Sequence, residues 1–192
     1  FTRICLTAVR ANPALEQCTL GSLLGATMQS AQLGLEPGVL GAAYLLPRWN
    51  TKKGCHEVQF IIGYQGYIDL FYRSGQVTSI VAREVCEGDE YECVFGIADT
   101  LRHKKPRKDR GAPEVYYALA RLLNGDHILH EMTLDEIAER RARSTAPLDS
   151  GPWVTDEVAM SRKTLIRAMV PYMPKSPLLG DALAADESVP TG

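Results

Sequence analysis

Three bases, Arg162, Lys163 and Arg167, with a fourth, Lys175, further on, stand in a stretch from Val158 to Gly180 that contains no acid. On a helical wheel Val158, Leu165, Ile166, Met169 and Met173 form one apolar stripe, with Arg162 near its middle. Lys163 and Arg167, four apart, share a second stripe that flanks it. Burying an unpaired guanidinium is costly. Arg162 therefore either meets a carboxylate such as Asp69 or lines a groove in which the three bases follow a phosphate backbone. A second basic cluster, Arg102, Lys104, Lys105, Arg107, Lys108 and Arg110, contains one acid, Asp109. It reads as a phosphate-binding loop or a solvated surface. Acids gather in their turn at Glu84, Glu87, Asp89, Glu90 and Glu92. This segregation predicts an electrostatic dipole in a chain whose net charge is only −2.

Other chemistries find little support. No G-x-x-x-x-G-K-[ST] occurs, and Gly-Lys is never found as a dipeptide, which excludes a P-loop ATPase. Neither a G-x-S-x-G elbow nor H-E-x-x-H is present, and the carboxylates lack the local spacing with lysine seen in many metal-dependent nucleases. The five cysteines, Cys5, Cys18, Cys55, Cys86 and Cys93, contain no C-x-x-C pair and read as free thiols of a reducing cytoplasm. His127 and His130 lie three apart in an expected strand and so point to opposite faces, which argues against a shared metal. A composition of 45% hydrophobic and 23% charged residues is that of a globular protein. No apolar run approaches the roughly 18 residues of a membrane span. Phe1-Thr-Arg is expected to enter a helix directly, with no signal peptide, and without an initiator Met the expected start lies inside a longer protein.

These side chains need a scaffold. Helices are expected over 1–11 and about 19–33, the second capped by Thr19, with Leu20, Leu23, Leu24, Met28 and Ala31 as its buried stripe. Ala43–Pro47 and Glu57–Ile62 suit a hairpin with a basic tip at Asn50-Thr-Lys-Lys-Gly54. Tyr64–Tyr72 reads as a short helix whose aromatic residues are more suited to core than to base stacking. Gly66 weakens that helix, which suggests a close approach by another backbone. Strands follow over Val77–Cys86, Tyr91–Phe95, Val115–Leu123 and His127–Met132, with turns at Glu87-Gly-Asp and Asn124-Gly-Asp. The run 102–110 sits between strands as a mobile loop or extended hairpin tip. Thr133-Leu-Asp-Glu136 is a capping box for a helix to about Arg143. Ser150-Gly-Pro-Trp153 forms a turn, in which Trp153 could anchor the chain or stack on a base. The last helix starts near Thr155 or Asp156 and ends at Pro171 and Pro174. The order of elements indicates an α+β fold with antiparallel strands and one core domain over 1–180, followed by a frayed tail over 181–192.

Six ordered stretches resemble the RecT family of phage-type single-strand annealing proteins. They are Ala31-Gln-Leu-Gly-Leu-Glu-Pro-Gly38, Gly41-Ala-Ala-Tyr-Leu-Leu-Pro47, Ile61-Ile-Gly-Tyr-Gln-Gly66, Arg73-Ser-Gly75, Ser150-Gly-Pro-Trp-Val154 and Met160-Ser-Arg-Lys-Thr-Leu-Ile-Arg167. The stretch Gly38-Val-Leu-Gly-Ala-Ala-Tyr44 departs from the family pattern: it is one residue shorter and has Ala42 in place of a histidine. The resemblance implies an ATP-independent protein that coats single-stranded DNA as an oligomer, in rings or helical filaments, and pairs it with a complementary strand. The implied fold is α+β, like the core of the wider annealing superfamily. A 5′ to 3′ exonuclease is the implied partner, in the cytoplasm of a bacterial host, and the gene is one of phage or prophage. Neither membrane nor catalytic site belongs to this picture. No cofactor is required; Mg²⁺ is compatible with it but not indicated by any residue.

Carried over to this chain, the resemblance puts Arg162, Lys163, Thr164 and Arg167 near a basic groove between a β-hairpin and core helices. Trp153 and the Gly63–Gly66 turn, with Tyr64 and Gln65, lie nearby, and Lys104, Lys105, Arg107 and Lys108 are further candidates. Annealing needs phosphates held and base edges left free, so that pairing, not protein, reads the sequence.

Overall fold

A computed structural model describes residues 2–143, 152–174 and 180. Lys175, the Ser150-Gly151 part of the expected turn and the tail from 181 lie outside the described residues. The fold is α+β, with six α-helices and three antiparallel sheets among the described residues. The chain groups into two compact units. One lies within residues 2–74, to which Pro174 also belongs, and the other within residues 75–173. Each has its own sheet and its own buried side chains.

The first unit contains α1 (Thr2–Ala11), α2 (Leu20–Leu33), a hairpin of β1 (Ala43–Asn50) and β2 (Cys55–Ile62), and α3 (Tyr64–Arg73). The hairpin pairs from Ala43 with Ile62 to Asn50 with Cys55. Its tip is basic, as expected, and Glu57 accepts hydrogen bonds from Lys53 at 2.7 Å and Asn50 at 2.6 Å. Thr19 holds the N-cap position of α2, its hydroxyl donating to Ser22 Oγ at 2.9 Å and not capping a backbone N–H, and Gly34 ends the helix at φ 62°.

The expected buried stripe of α2 needs correction. Leu20, Leu24 and Met28 are 69%, 40% and 53% exposed, while Leu23, Ala26, Thr27, Ser30 and Leu33 are buried. The helix is apolar nearly all round, so periodicity alone could not choose its face. Two small hydroxyl residues can turn inward because each satisfies itself on a carbonyl. Thr27 donates to Leu23 O and Ser30 to Leu35 O, both at 2.6 Å.

In α3, Tyr67, Leu70 and Phe71 are buried, whereas Tyr72 is exposed. Arg73 ties the end of α3 to the end of α2, donating to Leu33 O at 2.8 Å and Gly34 O at 3.0 Å. The close approach suspected at Gly66 is present. A Cβ there would lie 2.2 Å from the Ala42 carbonyl oxygen, and one on Gly63 would lie 1.9 Å from that of Gly41.

The second unit is built on a sheet ordered β3 (Val77–Cys86), β6 (Pro113–Leu122), β7 (His127–Thr133), with β6 central. Its helices are α4 (Leu134–Ala142), α5 (Pro152–Thr155) and α6 (Glu157–Met169). Register places Ile80 opposite Ala120, Ala82 opposite Ala118 and Glu84 opposite Tyr116, all on one face. Met132 joins them from β7. Against this sheet α6 lays Leu165, Ile166 and Met169, each fully buried. The expected capping box of α4 is formed: Glu136 N donates to Thr133 Oγ1 at 3.3 Å, and Thr133 N to Glu136 Oε2 at 2.8 Å. Asp156 caps α6, accepting from Ala159 N at 3.0 Å.

A second hairpin, β4 (Glu90–Val94) with β5 (Thr100–Lys104), takes in the first residues of the basic run, which was expected as a mobile loop or an extended hairpin tip, while 105–110 follow outside the strand. Arg102 and Lys104 are in a strand, opposite Glu92 and Glu90. Opposite charges facing across the pair favour this register. None of the described helices is long and apolar enough to cross a membrane.

Gly66 offers a direct test of the packing. By helix propensity alone, Gly66→Ala should stabilise by up to about 1 kcal/mol. Contact with a backbone carbonyl that cannot rotate away reverses the sign, and we expect a net loss of at least roughly 2 kcal/mol in urea unfolding. A stabilised variant would contradict the contact.

Candidate nucleic-acid interface

The β3–β4 connection turns sharply at Glu87-Gly-Asp, where Asp89 N donates to Cys86 O at 2.9 Å. This turn folds the Asp89 side chain inward, where it is 0% exposed. Its carboxylate accepts from Cys86 N at 3.0 Å, from Arg110 Nε at 3.0 Å and from Arg110 Nη2 at 2.6 Å. His103 reaches the same carboxylate through Nε2 at 2.9 Å and the Tyr117 hydroxyl through Nδ1 at 3.1 Å. Tyr91 stacks on Tyr117 with ring centroids 5.8 Å apart and donates its hydroxyl to Glu131. Burial and that carboxylate push the Tyr91 phenol well above its usual range.

Glu84 is the second hub. Its Oε2 accepts from Arg162 Nη2 at 2.5 Å, and its Oε1 from Arg110 Nη1 at 3.0 Å and Lys105 Nζ at 3.5 Å. Arg110 Nη2 also donates to the Glu84 carbonyl at 3.2 Å. Burial by itself would raise the Glu84 carboxyl, but the hydrogen bonds from Arg162 and Arg110 overcome it and hold it at about 2. Asp89 is held well below the usual carboxylate range, first by Arg110, against the opposing effect of burial.

Arg162 meets a carboxylate, as one of its two expected alternatives has it, but not the acid named there. Its partner is Glu84 on β3, not Asp69, which pairs with Arg73 at 2.5 Å on its own helix. Arg162 is not inside the core stripe: its side chain remains 35% exposed, at the margin of the face that carries Leu165 and Ile166. The predicted dipole is also corrected in part. The acid cluster and the basic run are folded onto each other, Lys104 on Glu90 at 2.7 Å, Lys105 on Glu84, and Arg110 on both Glu84 and Asp89. Arg110, Asp89, His103 and Glu84 had not been singled out as a network. The signal for it was the pairing of an acid-rich turn with a basic run that ends in arginine.

The other candidates fall in different places. Lys163 and Thr164 are half-buried on α6, Thr164 donating to Met160 O at 2.9 Å, and Arg167 is exposed. Arg107 and Lys108 are exposed beyond β5. Trp153 is 3% exposed, with the Arg141 guanidinium 5.5 Å from its ring centroid, so its ring is a covered anchor rather than an open stacking face. Tyr64, half-buried, and Gln65, exposed, form the first turn of α3 in the other unit. Arg162 and Lys105 are brought onto one carboxylate. Tyr64 and Gln65 are not part of that cluster.

Both depressed carboxyls bear on stability in the same direction. Their contribution is complete above the unfolded value near pH 4 and is lost as pH falls through the folded one, about 2 for Glu84. Urea midpoints should hardly change between about pH 7 and 5 on their account and should fall below about pH 4. Asp89→Asn, which leaves Arg110 with one acid, should cost roughly 3 kcal/mol at neutral pH and shallow the acid limb. An unchanged acid limb would contradict the network.

The family model of the RecT family matches residues 1–191. The chain is 45% identical to Protein RecT of Escherichia coli (strain K12) over 192 aligned positions, which take in 98% of this chain and 71% of that protein. It is 27% identical over 171 positions to the uncharacterized protein YqaK of Bacillus subtilis (strain 168), covering 88% of this chain and 57% of that one. A family match across nearly every residue, with a relative this similar along most of its own length, establishes that the chain belongs to the RecT family of single-strand annealing recombination proteins.

Proposed function

We propose that this chain holds single-stranded DNA by its phosphates and pairs it with a complementary strand, without nucleotide hydrolysis and as a self-associating assembly. The observation that carries this reading is α6. In a stretch without acids, it presents Arg162, half-exposed, then Lys163 and Arg167 four residues apart on one stripe. Such spacing suits the repeating charge of a nucleic-acid backbone and leaves the bases unread. Arg107 and Lys108, exposed beyond β5, extend the cationic surface available to a strand. Because Trp153 is covered, phosphate contact and not stacking on that ring supplies the affinity. The open apolar side of α2, with Leu20, Leu24 and Met28, supports self-association into a ring or filament, since surface of this kind is commonly covered by another chain. A 5′ to 3′ exonuclease that exposes the strand is the partner we assign to it, and no metal or nucleotide is required in the step.

The test is to mix complementary oligonucleotides with the protein, without nucleotide, with and without Mg²⁺. Duplex should form faster with both strands intact. Shortened strands would mean a nuclease, and binding without acceleration would mean a passive single-strand module. Lys163→Ala and Arg167→Ala should each weaken binding without sequence preference and flatten the slope of log affinity against log salt by roughly 0.7. Unchanged affinity and slope in both folded variants would remove α6 from the interface.

A further inference from the structure

Three cations converge on the Glu84 carboxylate: Arg162 at 2.5 Å, Arg110 at 3.0 Å and Lys105 at 3.5 Å. A carboxylate surrounded in this way offers the same paired anionic oxygens that a phosphodiester would bring. The three contacts are not equivalent. Arg110 is independently fixed by Asp89, through its Nε at 3.0 Å and its Nη2 at 2.6 Å. Arg162 is otherwise situated. Its Nε is buried and has no hydrogen-bond partner among the described residues, so the pose on Glu84 leaves one donor unsatisfied. Its side chain is nevertheless 35% exposed, which gives the guanidinium a route to solvent. Release would not strand Glu84 as a lone buried charge, since Arg110 and Lys105 stay on its other oxygen.

We propose that Glu84 is an internal competitor of the DNA phosphate for Arg162. An arriving strand takes the guanidinium from Glu84, and Glu84 falls back on Arg110 and Lys105. The inference rests on the reading of α6 as the strand-bearing helix. It adds that each bound strand must displace a carboxylate of the protein. Affinity is therefore held below what the cations alone would give, and exchange between strands is correspondingly easier.

Glu84→Gln keeps the shape and an acceptor oxygen but removes the charge. It should bind oligothymidylate more tightly than wild type, by roughly three- to fivefold at low salt. The gain should vanish in the Arg162→Ala background, where the double variant should bind as Arg162→Ala alone does. Affinity of Glu84→Gln at or below wild type, or an equal gain without Arg162, overturns the proposal. If Glu84→Gln does not fold, the Nε–Hε resonance of Arg162 in the wild-type chain provides the readout. It should shift when oligothymidylate saturates the protein, and a stationary signal overturns the proposal. Tight wild-type binding with no gain in Glu84→Gln sinks this inference alone, whereas a wild-type chain that binds no oligothymidylate sinks the reading of α6 with it.

Discussion

Arg110 joins two carboxylates of the sheet unit: it is the first cause that keeps Asp89 ionised, and it supports Arg162 in doing so for Glu84. Asp89 is fully enclosed, and a bare charge in that position would be several kcal/mol out of balance. Arg110 meets it with two nitrogens and extends the same guanidinium to the side chain and carbonyl of Glu84. Other features follow from that fork. The chain beyond β5 must return so that residue 110 reaches the β3–β4 turn, which brings Gly88 N to the Arg110 carbonyl at 2.9 Å. His103 then has a fixed acid on one side and Tyr117 on the other, and this seats the β4–β5 hairpin against the central strand. A lysine could supply the charge but not the fork, because its ammonium is a point donor without planar geometry.

The same pairing reshapes the electrostatics. As a string of letters the chain has an acidic block, a basic block and an acid-free end. Once folded, the first two blocks largely neutralise each other, through the ladder Glu90–Lys104 and Glu92–Arg102 and through the Arg110 hub. The field of such interleaved charges fades within about a Debye length, near 10 Å in ordinary salt.

Local chemistry was well legible in the sequence. The Thr133–Glu136 box, the Thr19 and Asp156 starts, the Asn-Gly turn and the Gly66 approach all follow from rules that operate within a few residues. What could not be read were choices settled at long range. The face that α2 buries was undecidable because apolar residues surround the helix, and two self-bonded hydroxyls cost nothing to bring inside. Strand β5 was hidden because Arg, His and Lys are weak strand formers, and only acids on a strand ten or more positions away make them one. The partner of Arg162 lies 78 residues from it, and alternation along β3 places apolar residues on both faces. Nothing local marked Glu84 as facing the helix.

The two glycines at the start of α3 carry one more consequence. Gly63 and Gly66 meet the carbonyl oxygens of residues 41 and 42, atoms that every amino acid possesses. The start of α3 is therefore held by backbone approaches that are closer than those to the Tyr44 and Ile62 side chains. Any side chain at Gly63 or Gly66 would press on carbonyls that cannot rotate away and would move the helix start off them.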